Sequence, residues 1–201
     1  MVDDLSTGRR ENVPGGAAFY EQDTRSGCAR VFEDFALHAP CHHAAQTDVR
    51  RSIREPVFDA GVSVLGTLRL LESCARYDKK IAFASTSAVY SEQVEYPAPE
   101  AHPQYPVSPY GISRLADERY LHFYHRQYEL SHAALRYANV YGPRQDSHGE
   151  GGVVAIFCSN LAARRLSIIN GTGEQARDYV YVGDVARANV LALEGEAPSS
   201  A

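Results

Sequence analysis

The chain has 201 residues, 44% hydrophobic and 22% charged, with a formal net charge of −5. That length can bury one domain, or one domain and part of another. The acidic balance argues against generic nucleic-acid affinity, no apolar run approaches the ~20 residues that span a bilayer, and the first residues lack a signal-peptide pattern.

Cys28, Cys41, Cys74 and Cys158 show no Cys-x-x-Cys spacing. They are expected as reduced thiols of a cytoplasmic protein. Met1 to Asp4 reads as the end of a strand, and Ala18 to Glu21 as a second strand running toward Asp23. Cys28 to Phe35 predicts a helix with Val31, Phe32 and Phe35 on one side. Pro40 to Ala45 is a weak version of a buried parallel strand, which favours a continuous apolar run. His42 and His43 would face opposite sides of such a strand, and His122 and His125 share a helix face without a third ligand, so no metal site is expected. From Pro56 to Tyr77 the stripe Val57, Gly61, Val64, Leu68, Leu71, Ala75 has helical period.

Lys80 to Arg114 organises the rest. Ile81 to Ala84 is a buried strand that ends in Ser85-Thr86-Ser87. A loop from Ser91 to Val107 follows, with Pro97, Pro99, Pro103 and Pro106. Ser108 can cap the next helix and Pro109 suits its first turn. Tyr110 and Arg114 then lie one turn apart on one face. A phenol ordinarily titrates near pH 10, so one acting as a base near neutrality needs about 4 kcal/mol of help. A nearby cation supplies part of it, and the Thr86 hydroxyl can hold or pass the proton. The helix continues to Glu129, with Tyr120, Phe123, Tyr124 and Tyr128 expected as core.

His132 to Tyr137 reads as a strand, and Asn139 to Pro143 leaves it. Gly149 to Gly152 is expected as a hinge before a helix over Val153–Arg165. Gly171 to Ala176 fits G-x-G-x-x-A, but the alternating Asp178 to Val182 comes next instead of the helix a phosphate cradle needs. A hairpin turn after Leu166 to Ile169 is the expectation. Asp184 to Glu194 is a last helix.

Six ordered stretches carry a resemblance: Val2 to Gly8, His43 to Gln46, Ser85 to Tyr90, Ser108 to Arg114, Leu135 to Arg144 and Arg177 to Val182. Together they resemble the extended short-chain dehydrogenase/reductase family, and within it the NAD-dependent nucleotide-sugar epimerases and dehydratases. The resemblance implies an α/β fold, a Rossmann-like doubly wound parallel sheet lacking its first strand and Gly-rich turn, plus part of a small substrate-binding lobe. Residues 1–146 would form the incomplete NAD-binding domain and 147–201 the partial lobe.

It implies NAD as cofactor, with Asp3 on the adenosine ribose and Asp23 and Thr24 near the adenine. Ala44, Ala45, Gln46, Tyr110, Arg114 and Tyr137 complete that set. Tyr110, Thr86 and Arg114 would carry catalysis; Thr86, Asn139 and Arg177 would contact a UDP-sugar. The implied activity is UDP-hexose 4-epimerisation of the UDP-glucose/UDP-galactose type by transient 4-keto oxidation, in a homodimer formed through the helices at 56–77 and 110–129. Two departures stand out: Arg114 replaces the family Lys, and Ser63 replaces a helical Asn that steadies the site. Two alternatives stay open. One is a truncated, inactive member of the family. The other is a nucleotide-sugar 4,6-dehydratase, disfavoured because Ser87-Ala88 stands where those relatives carry Asp-Glu.

Overall fold

The computed structural model describes residues 1–90, 98–147 and 152–195. The first part of the proline-rich loop and most of the expected hinge at Gly149–Gly152 lie outside the described residues. The central strand is β4 (Ile81–Thr86), buried from Ile81 to Ser85. It pairs in parallel with β3 (Cys41–His42) on one side and β5 (His132–Tyr137) on the other. A strand covered on both faces must be apolar throughout, which is why Ile-Ala-Phe-Ala could be read directly. The β4–β5 register runs from Ile81↔His132 to Thr86↔Tyr137. Two further parallel pairs stand apart from this ladder: β1 (Val2–Asp3) with β2 (Tyr20–Glu21), and β6 (Asn139–Tyr141) with β7 (Tyr179–Tyr181).

Helix α1 (Ala29–Asp34) follows β2. A short helix α2 (Val49–Arg54), not foreseen from sequence, is capped by the Asp48 carboxylate accepting the Arg51 N–H. From Pro56 to Arg76 the chain is continuously helical: α3 (Pro56–Ala60), a π-helical turn over Gly61–Leu65, and α4 (Gly66–Arg76). The π turn takes an extra residue and displaces the buried stripe. Asp59, Ser63, Thr67, Leu70, Leu71 and Cys74 face inward, whereas Val57 is 86% exposed. The expected stripe is corrected accordingly. Its upper half is polar.

Ser108 accepts the Gly111 N–H at 3.2 Å and caps α5 (Pro109–Tyr128), which ends on Glu129 in the left-handed region. The buried positions of α5 are Gly111, Ser113, Arg114, Asp117 and Leu121. Three of the aromatics expected in the core, Tyr120, Phe123 and Tyr128, are instead exposed; Phe123 and Tyr128 pack with the partly buried Tyr124 into a surface cluster. The core joins Cys28, Phe32, Leu70, Leu71, Cys74, Ile81, Phe83, Leu121 and Leu130.

Beyond β6, α6 (Val153–Ala162) is shorter than expected and α7 (Val182–Glu194) begins directly after β7. The hairpin expectation is overturned. Leu166 to Ile169 forms no strand, and β7 pairs in parallel with β6 instead. Gly171 and Gly173 do sit in a turn with positive φ.

Gly111 fixes the approach of α5 to β4. A Cβ added there would lie 2.4 Å from the Ala88 carbonyl oxygen and 2.9 Å from Pro106 Cβ. Overpacking against backbone typically costs about 1–3 kcal/mol. Gly111→Ala should therefore lower the thermal midpoint by roughly 3–10 °C, measured by calorimetry on the purified chain; an unchanged midpoint would show that α5 can move away freely.

Candidate functional site

Thr86 is the last residue of β4, and its Oγ1 accepts the Ala88 N–H at 3.1 Å. That bond caps a single 3₁₀ turn over Ser87–Val89. The Ala88 carbonyl is the group against which Gly111 rests, so the backbone after Thr86 meets the first turn of α5. Tyr110, half-buried, donates its backbone N–H to Ser52 Oγ of α2 at 3.2 Å. The structure thus brings Thr86 and Tyr110 to one corner at the carboxyl end of β4.

Arg114 completes the corner from inside. It is 2% exposed, with its guanidinium carbon 5.8 Å from the Tyr110 ring centroid and 5.4 Å from that of Phe83. Its Nε and Nη1 are buried without a hydrogen-bond partner among the described residues. Unpaired buried donors are rare. A guanidinium with unpaired donors is chemically compatible with the hydroxyls of a cofactor ribose.

Beside Arg114 lies Asp117, fully buried, its Oδ2 3.7 Å from Nη1. Neither Asp117 oxygen reaches hydrogen-bond geometry with a described residue; Arg114 and the Thr67 hydroxyl face it from further off. Burial pushes its carboxyl up to about 8 against the pull of Arg114. Thr67 Oγ1 in turn meets His42 Nε2 at 3.0 Å. Burial, with Arg114 adding to it, lowers His42 to about 3 and keeps it neutral. A second buried set is fully bonded. Asp59 accepts from Gln46 Nε2 at 3.0 Å and from the Ser113 hydroxyl at 2.7 Å. Gln46 also donates to the Asp48 carbonyl and accepts the Asp48 N–H. Ser63 is fully buried in the π turn, and its hydroxyl has no partner among the described residues.

The remaining candidates fall in two groups. Asp3 ends β1; its Oδ1 accepts the Leu5 N–H at 2.7 Å and lies where a Cβ on Gly8 would stand. Asp23 accepts from Arg25 Nε at 2.8 Å and Nη2 at 2.5 Å, and these bonds lower its carboxyl pKa. Thr24 is buried under Gly66. Ala44 and Ala45 follow β3, half-buried. The Tyr137 hydroxyl accepts from Asn189 Nδ2 of α7 at 2.5 Å and meets His43 Nε2 at 3.3 Å. The second group lies at β6–β7. Asn139 donates through Nδ2 to the Asp178 carbonyl at 3.0 Å, and exposed Arg177 is the residue just before. Parallel pairing of Asn139 with Tyr179 brings these two together. Among the described residues, no group of three His, Cys, Asp or Glu side chains could hold a metal ion.

Sequence reading missed Asp117, Asp59 and Ser113. For the two on α5 the signal was present: Tyr110, Ser113, Arg114, Asp117 and Leu121 share one face, and polar residues on a buried face are informative. It also missed the fork in which Glu118 accepts from Arg136 and Ser85, with Arg136 donating to Tyr90.

The Asp117 shift has a sign. In the unfolded chain an Asp carboxyl titrates near 3.9, so between about pH 4 and pH 8 the unfolded state releases a proton the folded state keeps. Its contribution to stability therefore falls as pH rises through that window and levels off above about 8. Relative to wild type, Asp117→Asn should gain roughly 3–4 kcal/mol of stability between pH 5 and pH 8. Urea unfolding at the two pH values checks this, and a pH-independent difference would contradict it.

The sequence matches the NAD dependent epimerase/dehydratase family over residues 1–200. It is 42% identical over 199 residues to a UDP-glucose 4-epimerase of Mycolicibacterium smegmatis, covering 95% of this chain and 64% of that relative. The fold superposes with TM-score 0.93 on a Thermotoga maritima UDP-glucose 4-epimerase solved with UDP-glucose, at 46% identity, covering 96% of this chain and 64% of that one. A Thermus thermophilus UDP-glucose 4-epimerase in complex with NAD gives TM-score 0.90 at 46% identity, covering 96% of this chain and 66% of that one. The chain thus spans about two-thirds of the length of these relatives and shares their Rossmann fold. It belongs to the NAD dependent epimerase/dehydratase family.

Proposed function

We propose that the protein is an NAD-dependent UDP-hexose 4-epimerase, interconverting UDP-glucose and UDP-galactose. The observation that carries this reading is the Tyr110–Arg114 pair packed against the turn after Thr86. Tyr110, as phenolate, takes the proton of the sugar 4-hydroxyl and later returns it. Thr86 holds that oxygen through its hydroxyl. NAD, held by the residues of the cofactor wall, would supply the hydride acceptor and donor for carbon 4 of the sugar. Arg114 places its positive charge beside the Tyr110 ring and is chemically suited to a cofactor ribose. Asp3 suits ribose hydroxyls and, as a carboxylate, disfavours a 2′-phosphate. Asp23, Thr24, Ala44, Ala45, Gln46 and Tyr137 complete the cofactor wall.

Asn139 and Arg177 serve the nucleotide end, where a guanidinium fork suits a diphosphate. Residues 1–146 act as the cofactor domain and 147–201 as part of the substrate lobe. The protein pairs with a second copy through the helices at 56–77 and 110–129. Exposed Val57 and Leu65 on the first, and Ile112, Phe123 and Tyr128 on the second, support that face. Free thiols at Cys28, Cys41, Cys74 and Cys158 fit the cytoplasm. A 4,6-dehydratase needs a further acid/base pair, and Ser87 and Ala88 carry none at that place.

The test is conversion of UDP-galactose to UDP-glucose with added NAD. Tyr110→Phe should lower turnover about 10²–10⁴-fold while NAD affinity, followed by calorimetry, stays within a few-fold. Absence of both turnover and NAD binding in the wild-type chain would instead favour the inactive family member.

A further inference from the structure

We propose that Asp117 is a positioning residue whose proton sets how much of the Arg114 charge reaches Tyr110. With the carboxyl neutral, the guanidinium is free to act on the phenol and on a cofactor ribose; ionised, the carboxylate closes the 3.7 Å gap and withdraws it. This deepens the role of Tyr110 as base and rests on that reading.

Four orphaned atoms share one buried place. Arg114 Nε and Nη1 and both Asp117 oxygens lack a hydrogen bond among the described residues, although cation and carboxyl are one helical turn apart. A full ion pair at normal contact would have satisfied them. Competing carboxylates are occupied: Asp59 of α3 is held by Gln46 and Ser113, and Glu118 of α5 by Arg136 and Ser85. Both add negative charge near Asp117 and oppose its ionisation. From α4 the Thr67 hydroxyl faces it, and behind Thr67 stands His42 of β3, neutral because of its burial and of Arg114. Arg114 is therefore the one cation facing Asp117 among these groups. The guanidinium that carries the change stands 5.8 Å from the Tyr110 ring centroid, so a shift in its pairing alters the charge beside the phenol.

The consequence is an alkaline limit on the active form. As the pH rises through about 8, Asp117 ionises and holds the guanidinium to itself rather than to the phenol and a ribose.

The test uses the full chain labelled with ¹³C at carboxyl and tyrosine ζ carbons. A carboxyl resonance titrating near 8 should be present in wild type and absent in Asp117→Asn. The Tyr110 line, assigned with Tyr110→Phe, should shift in wild type with the same midpoint. In Asp117→Asn its ionisation constant should rise about tenfold. Should the Asn variant fail to fold, the shared midpoint in wild type remains the readout. An Asp117 midpoint below 5, or a Tyr110 line indifferent to it, overturns the inference. A turnover assay then separates the two ideas. If activity falls above pH 8 in wild type but not in Asp117→Asn, both stand; if both resonances behave as expected without turnover, the epimerase reading alone fails.

Discussion

The contact between the first turn of α5 and the backbone after β4 is the constraint on which the site depends. Position 111 has no Cβ, so the Ala88 carbonyl can approach the helix more closely than any side chain would permit. Ser108 and Pro109 then fix where the helix starts, by capping and by a preset φ. Once start and distance are fixed, helical period places Tyr110 and Arg114 without further instruction. That corner follows from a missing methyl group and a cap. Thr86 enters because β4 ends there, and β4 is held by strands on both sides.

Behind that corner the interior is unusually polar. Two sets of buried polar side chains lie side by side with opposite degrees of completion. Asp59, Gln46 and Ser113 exchange hydrogen bonds between α3, α5 and the loop after β3, as buried polar groups generally must. Arg114 and Asp117 do not, and the neighbouring Ser63 hydroxyl is likewise unpaired among the described residues. Incomplete satisfaction costs stability and leaves the groups free to respond to a ligand or a proton. A rigid, satisfied set beside a responsive one is a physically sensible division. The first ties α3 to α5, while the second stays unsatisfied among the described residues.

Much of this was legible in the residues. The run Ile81 to Ala84 announced a doubly covered strand, and Ser-Pro-Tyr announced the helix start to within a residue. What failed has identifiable causes. The stripe from Val57 to Ala75 assumed one helical period, and the π turn at Gly61–Leu65 broke it, so Asp59 and Thr67 were not recognised as interior. The α5 aromatics were assigned to the core on hydrophobicity alone, yet Phe123 and Tyr128 lie on the outer face. The hairpin after Ile169 was inferred from glycines and alternation, signals that mark a turn but do not choose the strand's partner. Asp117 stands at helical spacing from Arg114, a pattern that in a sequence usually signals a solvated pair.

The pairing of β6 with β7 has a further consequence for Asn139 and Arg177. The ladder is three residues long, from Asn139↔Tyr179 to Tyr141↔Tyr181, and it runs between segments separated by α6 and a long exposed stretch. Strand side chains alternate, so sliding one partner by a single step would turn Asn139 away from Asp178 and from Arg177 together. The Asn139 side chain bonded to the Asp178 carbonyl works against such a slip. The geometry at that end is thus either wholly right or wholly wrong, a two-valued latch set by one amide.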